Sequence, residues 1–295
     1  MNDTAYDVQG QIAELWIYPV KSCAGIAVQQ AGLSRHGLQW DRHWMVVDVA
    51  GDFLTQRSHP RMALIRPELT DRHLRLHFPG QDSLEIPLQA QGALCPARVW
   101  KDRVQAWDLG AWAEPARQWL SRALETDCRL VRFDPNRPRQ ASERWAAGDE
   151  APVLFADGYP LLVLSQSAVA ELNRRLALSG DAAVDARRFR PNIVIAGLQA
   201  HDEDRVETLD MLDLPGLSLR PCKPCTRCPI PDIDPDTAVP GSAVGREIRG
   251  YRQDARVDGA ITFGMNALVL GLPEAADAEV LLQCGQRLGG NLSFD

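Results

Sequence analysis

The chain has little of three things: long apolar runs, positive charge and lysine. None of its 295 residues falls in an unbroken apolar stretch of about 18, the length a bilayer-spanning helix needs. The first residues, Met1-Asn-Asp-Thr-Ala-Tyr-Asp7, carry neither the basic nor the apolar region of a secretory leader. These absences predict a cytoplasmic protein with no membrane partner. Acidic residues outnumber basic ones 39 to 32, for a formal charge of −7. Polyanion binding needs clustered positive charge, so nucleic acid is excluded as an expected partner. Lys21, Lys101 and Lys223 are the only lysines, a bias toward arginine that runs through the whole chain. Seven cysteines is an odd number, and Cys23, Cys95, Cys128 and Cys284 are scattered. That is not the framework of a disulfide-stapled secreted domain, and the scattered four read as small apolar filler. Only Cys222, Cys225 and Cys228 cluster.

What the chain does have is enough apolar residue, 45%, for the core of one large or two modest domains. Short apolar runs at Ile12–Tyr18, Trp44–Val49, Met62–Ile65, Leu74–Phe78 and Leu84–Leu88, separated by Pro and Gly, predict a mainly β N-terminal region. The turn Asp48-Val-Ala-Gly51-Asp is expected to make a hairpin into Phe53. Leu109, Trp112, Ala116, Trp119, Leu120 and Ala123 recur at helical spacing, with both tryptophans expected in the core. Phe133 to Gly148, rich in Pro and charge, reads as a long surface connection and marks a boundary between domains at 10–133 and 150–295. The second half opens with a strand, Tyr159–Leu164. Ser165-Gln-Ser167 then caps a helix whose Val169, Leu172 and Leu176 share a face and which ends near Gly180. Strands are expected at Arg190–Ala196, Leu217–Arg220, Ile261–Leu270 and Val280–Gln283. The fold class is α+β, mainly β, with a few helices.

The cysteines lie in Leu219-Arg-Pro-Cys222-Lys-Pro-Cys225-Thr-Arg-Cys228-Pro-Ile-Pro, where the prolines exclude a helix and predict a rigid loop. Lys223 and Arg227 are placed to favour a thiolate. Structural zinc wants four ligands, and neither a second Cys pair nor a histidine follows at the usual spacing. An iron–sulfur cluster wants a fourth cysteine that does not follow. A thioredoxin-like dithiol opens a helix, which Pro229 and Pro231 forbid. Spacing alone leaves two readings open: thiols packed in a tight turn, or a site where one thiolate binds something that brings its own remaining ligands. A metal cofactor such as molybdenum in a pterin dithiolene meets the second description.

Five ordered motifs carry a resemblance along nearly the whole chain: Leu15-Trp-Ile-Tyr-Pro-Val-Lys21-Ser22-Cys-Ala-Gly25, Asp41-Arg42-His-Trp, Arg188-Phe-Arg190-Pro-Asn192-Ile-Val-Ile, Cys225-Thr-Arg-Cys228 and Asp234-Pro-Asp236-Thr. On these the chain resembles the MOSC superfamily, in the group that includes the amidoxime-reducing components. The resemblance implies an N-terminal β-barrel-like domain packed on a MOSC β-barrel domain. It implies a molybdenum cofactor bound through Cys228, with Lys21, Ser22, Arg42, Arg190 and Asn192 against its pterin and phosphate. Thr226, Arg227 and Ser165 join these cofactor-binding candidates, Ser165 also as the cap of its helix. A phosphate wants cationic donors and a pterin edge wants amide and hydroxyl partners, which these residue types supply. Arg190 and Asn192, two apart in one expected strand, would share a face. Asp234 and Asp236 read as turn formers rather than proton relays. Cys222 has no assigned role.

The implied activity is reduction of N-hydroxylated small molecules: hydroxylamines, amidoximes and N-hydroxylated bases. No four-cysteine cluster motif follows in the sequence, so electrons are expected from a separate donor of ferredoxin or flavin reductase type. Two other classes stand beside it: a cofactor carrier or sulfur-transfer protein with a persulfide on Cys228, and a plain binding protein without metal.

Overall fold

Alternate side chains of a strand point to opposite faces, and the strands of the second half use this to split their apolar residues between an interior and an outer layer. The computed structural model describes residues 6–273 and 280–293. Residues 1–5, part of the stretch read for a leader, and residues 294–295, the end of the second domain range, lie outside the described residues. Seven strands, numbered in chain order, close a barrel: β1 (Val8–Ile17), β2 (Leu161–Ser165), β3 (Ile193–Ala196), β4 (Leu209–Met211), β5 (Ser218–Thr226), β6 (Ala260–Leu270) and β7 (Arg287–Gly290). Their order is β2-β3-β1-β7-β4-β5-β6, and β6 returns to β2 with Leu161 opposite Ala267 and Val163 opposite Met265. Leu161 and Val163 of β2 and Ile193 and Ile195 of β3 turn inward onto Ile12, Leu15, Leu209 and Leu219. Their neighbours Leu164 and Val194 face out, under helices.

Four α-helices are present among the described residues: α1 (Ala113–Leu124), α2 (Glu143–Ala146), α3 (Gln166–Leu178) and α4 (Ala243–Arg249). The β2 and β3 strands are the barrel's one parallel pair, and α3 is the crossover such a pair requires. As expected, its Val169, Leu172 and Leu176 are buried, and the helix stops just before Gly180. None of the described helices is long and apolar enough to cross a membrane.

The N-terminal region is β-rich as expected. Strands Trp44–Asp48, Cys128–Phe133, Asp102–Trp107 and Leu94–Val99 form an antiparallel sheet in that order. One face packs Trp44, Val46 and Leu130 against α1 and the sheet Arg66–Leu69, His73–His77, Leu84–Pro87. The other packs Met45, Val47, Val131 and Phe133 against Leu154 and Phe155. Phe155, fully buried, meets Phe133 edge-on at 4.9 Å. Burying such a ring contributes roughly 2–3 kcal/mol and fixes the chain that enters the barrel.

Several expectations change. Met62–Ile65 is not a strand but the end of a 3-10 turn, Pro60–Leu64, because Pro60 sets the first helical φ and Met62 N–H bonds back to His59. The run is apolar because it is buried, not because it pairs. The hairpin at Asp48 shrinks to a turn and a single bridge, Val47 to Phe53, since strand 44–48 spends its length on 128–133. Trp119 is buried, but Trp112 is 38% exposed, because it sits in the 3-10 turn ahead of α1. The connection after Phe133 is not bare surface: Arg139–Gln140 pairs with Pro152–Val153, and Ala146 and Ala151 pack onto Tyr159 and Leu268. Finally, β1 belongs to the barrel, pairing β3 on one side and β7 on the other.

Candidate cofactor site between the two cores

Where β1 ends at Ile17 the chain leaves the barrel and joins the N-terminal sheet. Lys21 N–H donates to Trp44 O at 2.8 Å, and Arg42 N–H to Tyr18 O at 2.8 Å. Buried Lys21 sends its ammonium to Phe155 O at 2.8 Å and Asp157 Oδ1 at 2.5 Å. Burial pushes the Lys21 pKa down, and Asp157 opposes the shift. Desolvation raises the Asp157 carboxyl, but Lys21 and the Trp100 indole N–H, 3.1 Å away, outweigh it and hold the group below the usual range. Arg42 pairs with buried Asp41 at 2.5 Å, whose other oxygen accepts Tyr18 N–H at 2.8 Å. The guanidinium groups of Arg42 and Arg190 both lie over the Tyr18 ring, 4.4 and 4.2 Å from its centroid. Gly25 permits this: a Cβ there would stand 2.5 Å from Tyr18 Cε1. The buried Tyr18 hydroxyl has no partner among the described residues.

Ser22, Arg42 and Arg190 all hold left-handed backbone, with φ of 65°, 53° and 58°. Each costs a non-glycine residue about 1–2 kcal/mol, and such strain gathers where geometry serves a site.

The opposite wall is the end of β5. Cys222 and Cys225 lie within this strand and not in a loop, correcting the sequence expectation. Pro221 and Pro224 are tolerated because the β5–β6 register shifts beside each of them, and because β4 pairs only as far as Leu219. Gly264, with φ 75°, kinks the partner strand; a Cβ there would stand 2.8 Å from Val163 O. Nor do the basic neighbours set the thiols: burial raises both Cys222, to about 11, and Cys225, whose first opposing influence is Arg227. Just beyond the strand Arg227 bonds Phe263 O at 3.0 and 2.7 Å and Phe189 O at 3.2 Å. Asn192 takes Leu162 N–H at 3.1 Å and donates to Trp16 O at 3.2 Å, tying β1 to β2 where β3 begins. Cys228, half-buried, lies between these walls.

Two adjoining cavities meet at Cys228. One, of about 70 Å³, is lined by Lys21, Ser22, Arg57 and Trp100; the other, of about 110 Å³, by Asn192, Thr226, Arg227 and Cys225; Arg42, Asp157, Arg190 and Cys228 line both. Eight of the nine residues named from sequence therefore share one place. Ser165 does not. It is fully buried, its hydroxyl accepts His201 N–H at 3.3 Å, and it makes no cap bond to α3, so neither the capping nor the cofactor role holds. Arg190 and Asn192 also fail to share a strand face: Arg190 ends the 3-10 turn Ala186–Phe189, and β3 starts only at Ile193. Asp234 and Asp236 form the expected turn, Asp234 Oδ1 accepting from Asp236 and Thr237 N–H, and each carboxylate pairs with an arginine.

Sequence reasoning missed Arg57, Trp100 and Asp157. Trp100 is 43% exposed at the tip of the 94–107 hairpin, with the Arg57 guanidinium 4.4 Å over its ring. Nothing local signals that an exposed tryptophan belongs to a site formed 128 positions from its cysteine. Asp157 could have been suspected from Asp157-Gly-Tyr-Pro, a polar break before an apolar strand.

Residues 9–127 match the MOSC N-terminal beta barrel domain and residues 150–286 the MOSC domain. Mitochondrial amidoxime-reducing component 1 of Mus musculus is 36% identical over 239 residues, 78% of this chain and 67% of that protein. The Homo sapiens component 1 is 34% identical over 256 residues, 83% of this chain and 72% of that one. Among solved structures the YUAD protein from Bacillus subtilis aligns over 95% of this chain and 94% of its own. The identity is 12% and the TM-score 0.39, too low for a comparison of folds. The barrel, its cysteine-bearing strand and the β-rich region against it are thus those of a MOSC protein with the N-terminal MOSC domain. Within that class the chain belongs to the family of the mitochondrial amidoxime-reducing components.

Proposed function

We propose that the protein is a molybdenum-cofactor-dependent reductase of N-hydroxylated compounds, with Cys228 as the metal's protein thiolate. The observation that carries this reading is one half-buried cysteine lining two cavities on which cations from both cores converge. The donor set fits the cofactor: a soft sulfur for a metal already held by a dithiolene, and arginine and lysine donors for a phosphate. Charge supports it too, since Lys21, Arg42, Arg57 and Arg190 face the smaller cavity with Asp157 as its one carboxylate. The relatives' names supply the substrate class, amidoximes.

In this reading Cys228 anchors the metal, Lys21, Ser22 and Arg42 hold the phosphate, and Arg190 with Thr226 faces the pterin. Asn192 and Arg227 act mainly by holding the strand ends in register, because backbone carbonyls and an N–H already engage most of their polar atoms. Bound, the cofactor would supply the two-electron chemistry that reduces an N–O bond, with electrons from a separate donor protein of ferredoxin or flavin reductase type. The test is expression in a host that makes the cofactor, with metal analysis and reduction of hydroxylamine by an artificial donor. Wild type should carry molybdenum and turn over, and Cys228→Ala should do neither. A fully loaded, active Cys228→Ala protein would sink the assignment, and a labelled persulfide on Cys228 without turnover would favour sulfur transfer.

A further inference from the structure

The hairpin made by Leu94–Val99 and Asp102–Trp107 has one face covered and one open. Ala97, Val99, Val104 and Ala106 pack into the same cluster as Phe155, so their alternating neighbours Arg98 and Arg103 point to solvent. These two arginines stand directly opposite each other across the strands. Like charges in that register oppose pairing. Asp52 compensates only Arg98, at 2.5 Å. Arg103 is flanked at the tip by Lys101, and Arg57 lies over the ring of Trp100; none of these three pairs with a carboxylate among the described residues. Asp102, the one acidic residue of the hairpin, is already held by Arg139 at 2.8 Å. Trp100 takes left-handed backbone, φ 55°, at a turn position that glycine or asparagine fills at less cost. A chain with a formal charge of −7 thus gathers free cations and a strained, half-exposed tryptophan on one hairpin. The repulsion and the strain both work against folding.

From this we infer that the Trp100 hairpin is the docking surface for a small acidic electron carrier of the ferredoxin type. The inference rests on the function proposed above, and adds to it where the donor sits and which charge it carries. Position supports it: Trp100 lines the smaller of the cavities that meet at Cys228, so a protein covering the hairpin tip lies at the mouth of that cavity. Charge supports it as well, because cations left free at a rim steer an acidic partner in and raise its rate of encounter. The patch is one hairpin and one loop residue, the footprint of a transient redox encounter rather than of a permanent complex. A brief encounter suits the use. A ferredoxin cluster gives up one electron at a time, so two encounters, with two protons, convert hydroxylamine to ammonia and water. Nucleic acid fits less well, since its phosphates would meet Asp52 and Asp157 among the cations.

Lys101 and Arg103 line neither cavity at Cys228, so reversing their charge leaves the cofactor site intact. With cofactor-loaded protein, binding of a plant-type two-iron ferredoxin is measured by calorimetry, and hydroxylamine reduction is followed with reduced ferredoxin or reduced methyl viologen as donor. In Lys101→Glu/Arg103→Glu, ferredoxin binding at low salt and kcat/KM for ferredoxin should each fall about tenfold or more. Turnover with viologen, which needs no docking surface, should stay within about twofold of wild type. At about 0.3 M salt wild type should approach the variant. The urea midpoint of Arg103→Glu should not fall, because glutamate opposite Arg98 turns repulsion into attraction. Arg72→Glu/Arg122→Glu, the same charge change at exposed positions off the hairpin, should alter neither binding nor turnover. Wild type that turns over with viologen but binds no ferredoxin at low salt overturns the inference, as does a hairpin variant that binds like wild type or an off-hairpin variant that loses as much. A single-stranded oligonucleotide that binds more tightly than ferredoxin, or a dimer of the chain that the hairpin variant loses, also overturns it and names another occupant. Ferredoxin binding that depends on Lys101 and Arg103, without hydroxylamine reduction by either donor, overturns the proposed function and leaves the docking surface standing.

Discussion

On the barrel wall of the site, Arg227 and Asn192 give their polar atoms to backbone groups of neighbouring strands and of the 3-10 turn before β3. On the N-terminal wall, Lys21, Arg42 and Arg57 are held by carboxylates, a carbonyl and aromatic faces, and their cationic ends line the cavity. The first wall fixes a position, and the second presents charge. A site between two cores can divide these tasks because each core is stable through its own packing, so the strained backbone at Ser22, Arg42 and Arg190 gathers at the seam.

That division can be broken or sharpened by substitution. The largest effect belongs to Cys228→Ala, which should abolish molybdenum retention and turnover yet leave the urea midpoint of the cofactor-free protein in place, as no described hydrogen bond uses its thiol. Arg227→Ala takes this donor from the Phe263 carbonyl of β6 and the Phe189 carbonyl of the 3-10 turn and should cost about 2–3 kcal/mol in urea denaturation. An unchanged midpoint would mean that the barrel wall is not built on its side chains. Asn192→Ala should cost somewhat less, about 1–2 kcal/mol, by freeing Leu162 N–H and Trp16 O. On the other wall, Arg57→Ala should leave stability within about 0.5 kcal/mol while cofactor retention, measured as metal content after dialysis, falls about threefold and more so at low salt.

The smallest effect lies away from both walls. Buried Glu203 has its pKa raised to about 7, by desolvation first and then by Asp204, against the Ser165 N–H that lowers it. Below the ordinary value of 4.5 both folded and unfolded states hold the proton. Between there and about 7 the unfolded chain releases it first, so stability should fall as pH rises through that window and level off above it. Glu203→Gln should flatten this slope, and an unchanged pH profile of the urea midpoint would refute the assignment.

Much of this architecture could be read from local pattern. The three- and four-residue spacing of Val169, Leu172 and Leu176 marks α3 because one buried stripe suffices to define a helix. The motifs around Lys21, Arg42, Arg190 and Cys228 marked residues that do converge. What escaped depends on partners distant in sequence. Pro221 and Pro224 argue against a strand unless the register shifts on β6 are known. Met62 and Ile65 look like a strand because burial and pairing leave the same apolar signature. Ser165 looked like a cap because the loop that claims its hydroxyl, at His201, is 36 positions away.

The place of β1 has a consequence for how the chain is made. Its partner β7, which sets Val8 opposite Gly290, lies almost the whole chain later. At about 5–20 residues per second, the ribosome delivers that partner roughly 15–60 s after β1 has emerged. Throughout that interval Ile12, Leu15 and Ile17 stay without the barrel interior that later buries them. The N-terminal sheet can assemble early from its own strands. The barrel, and with it the wall that carries Cys228, is a late product of synthesis, since it cannot close before its last strand arrives.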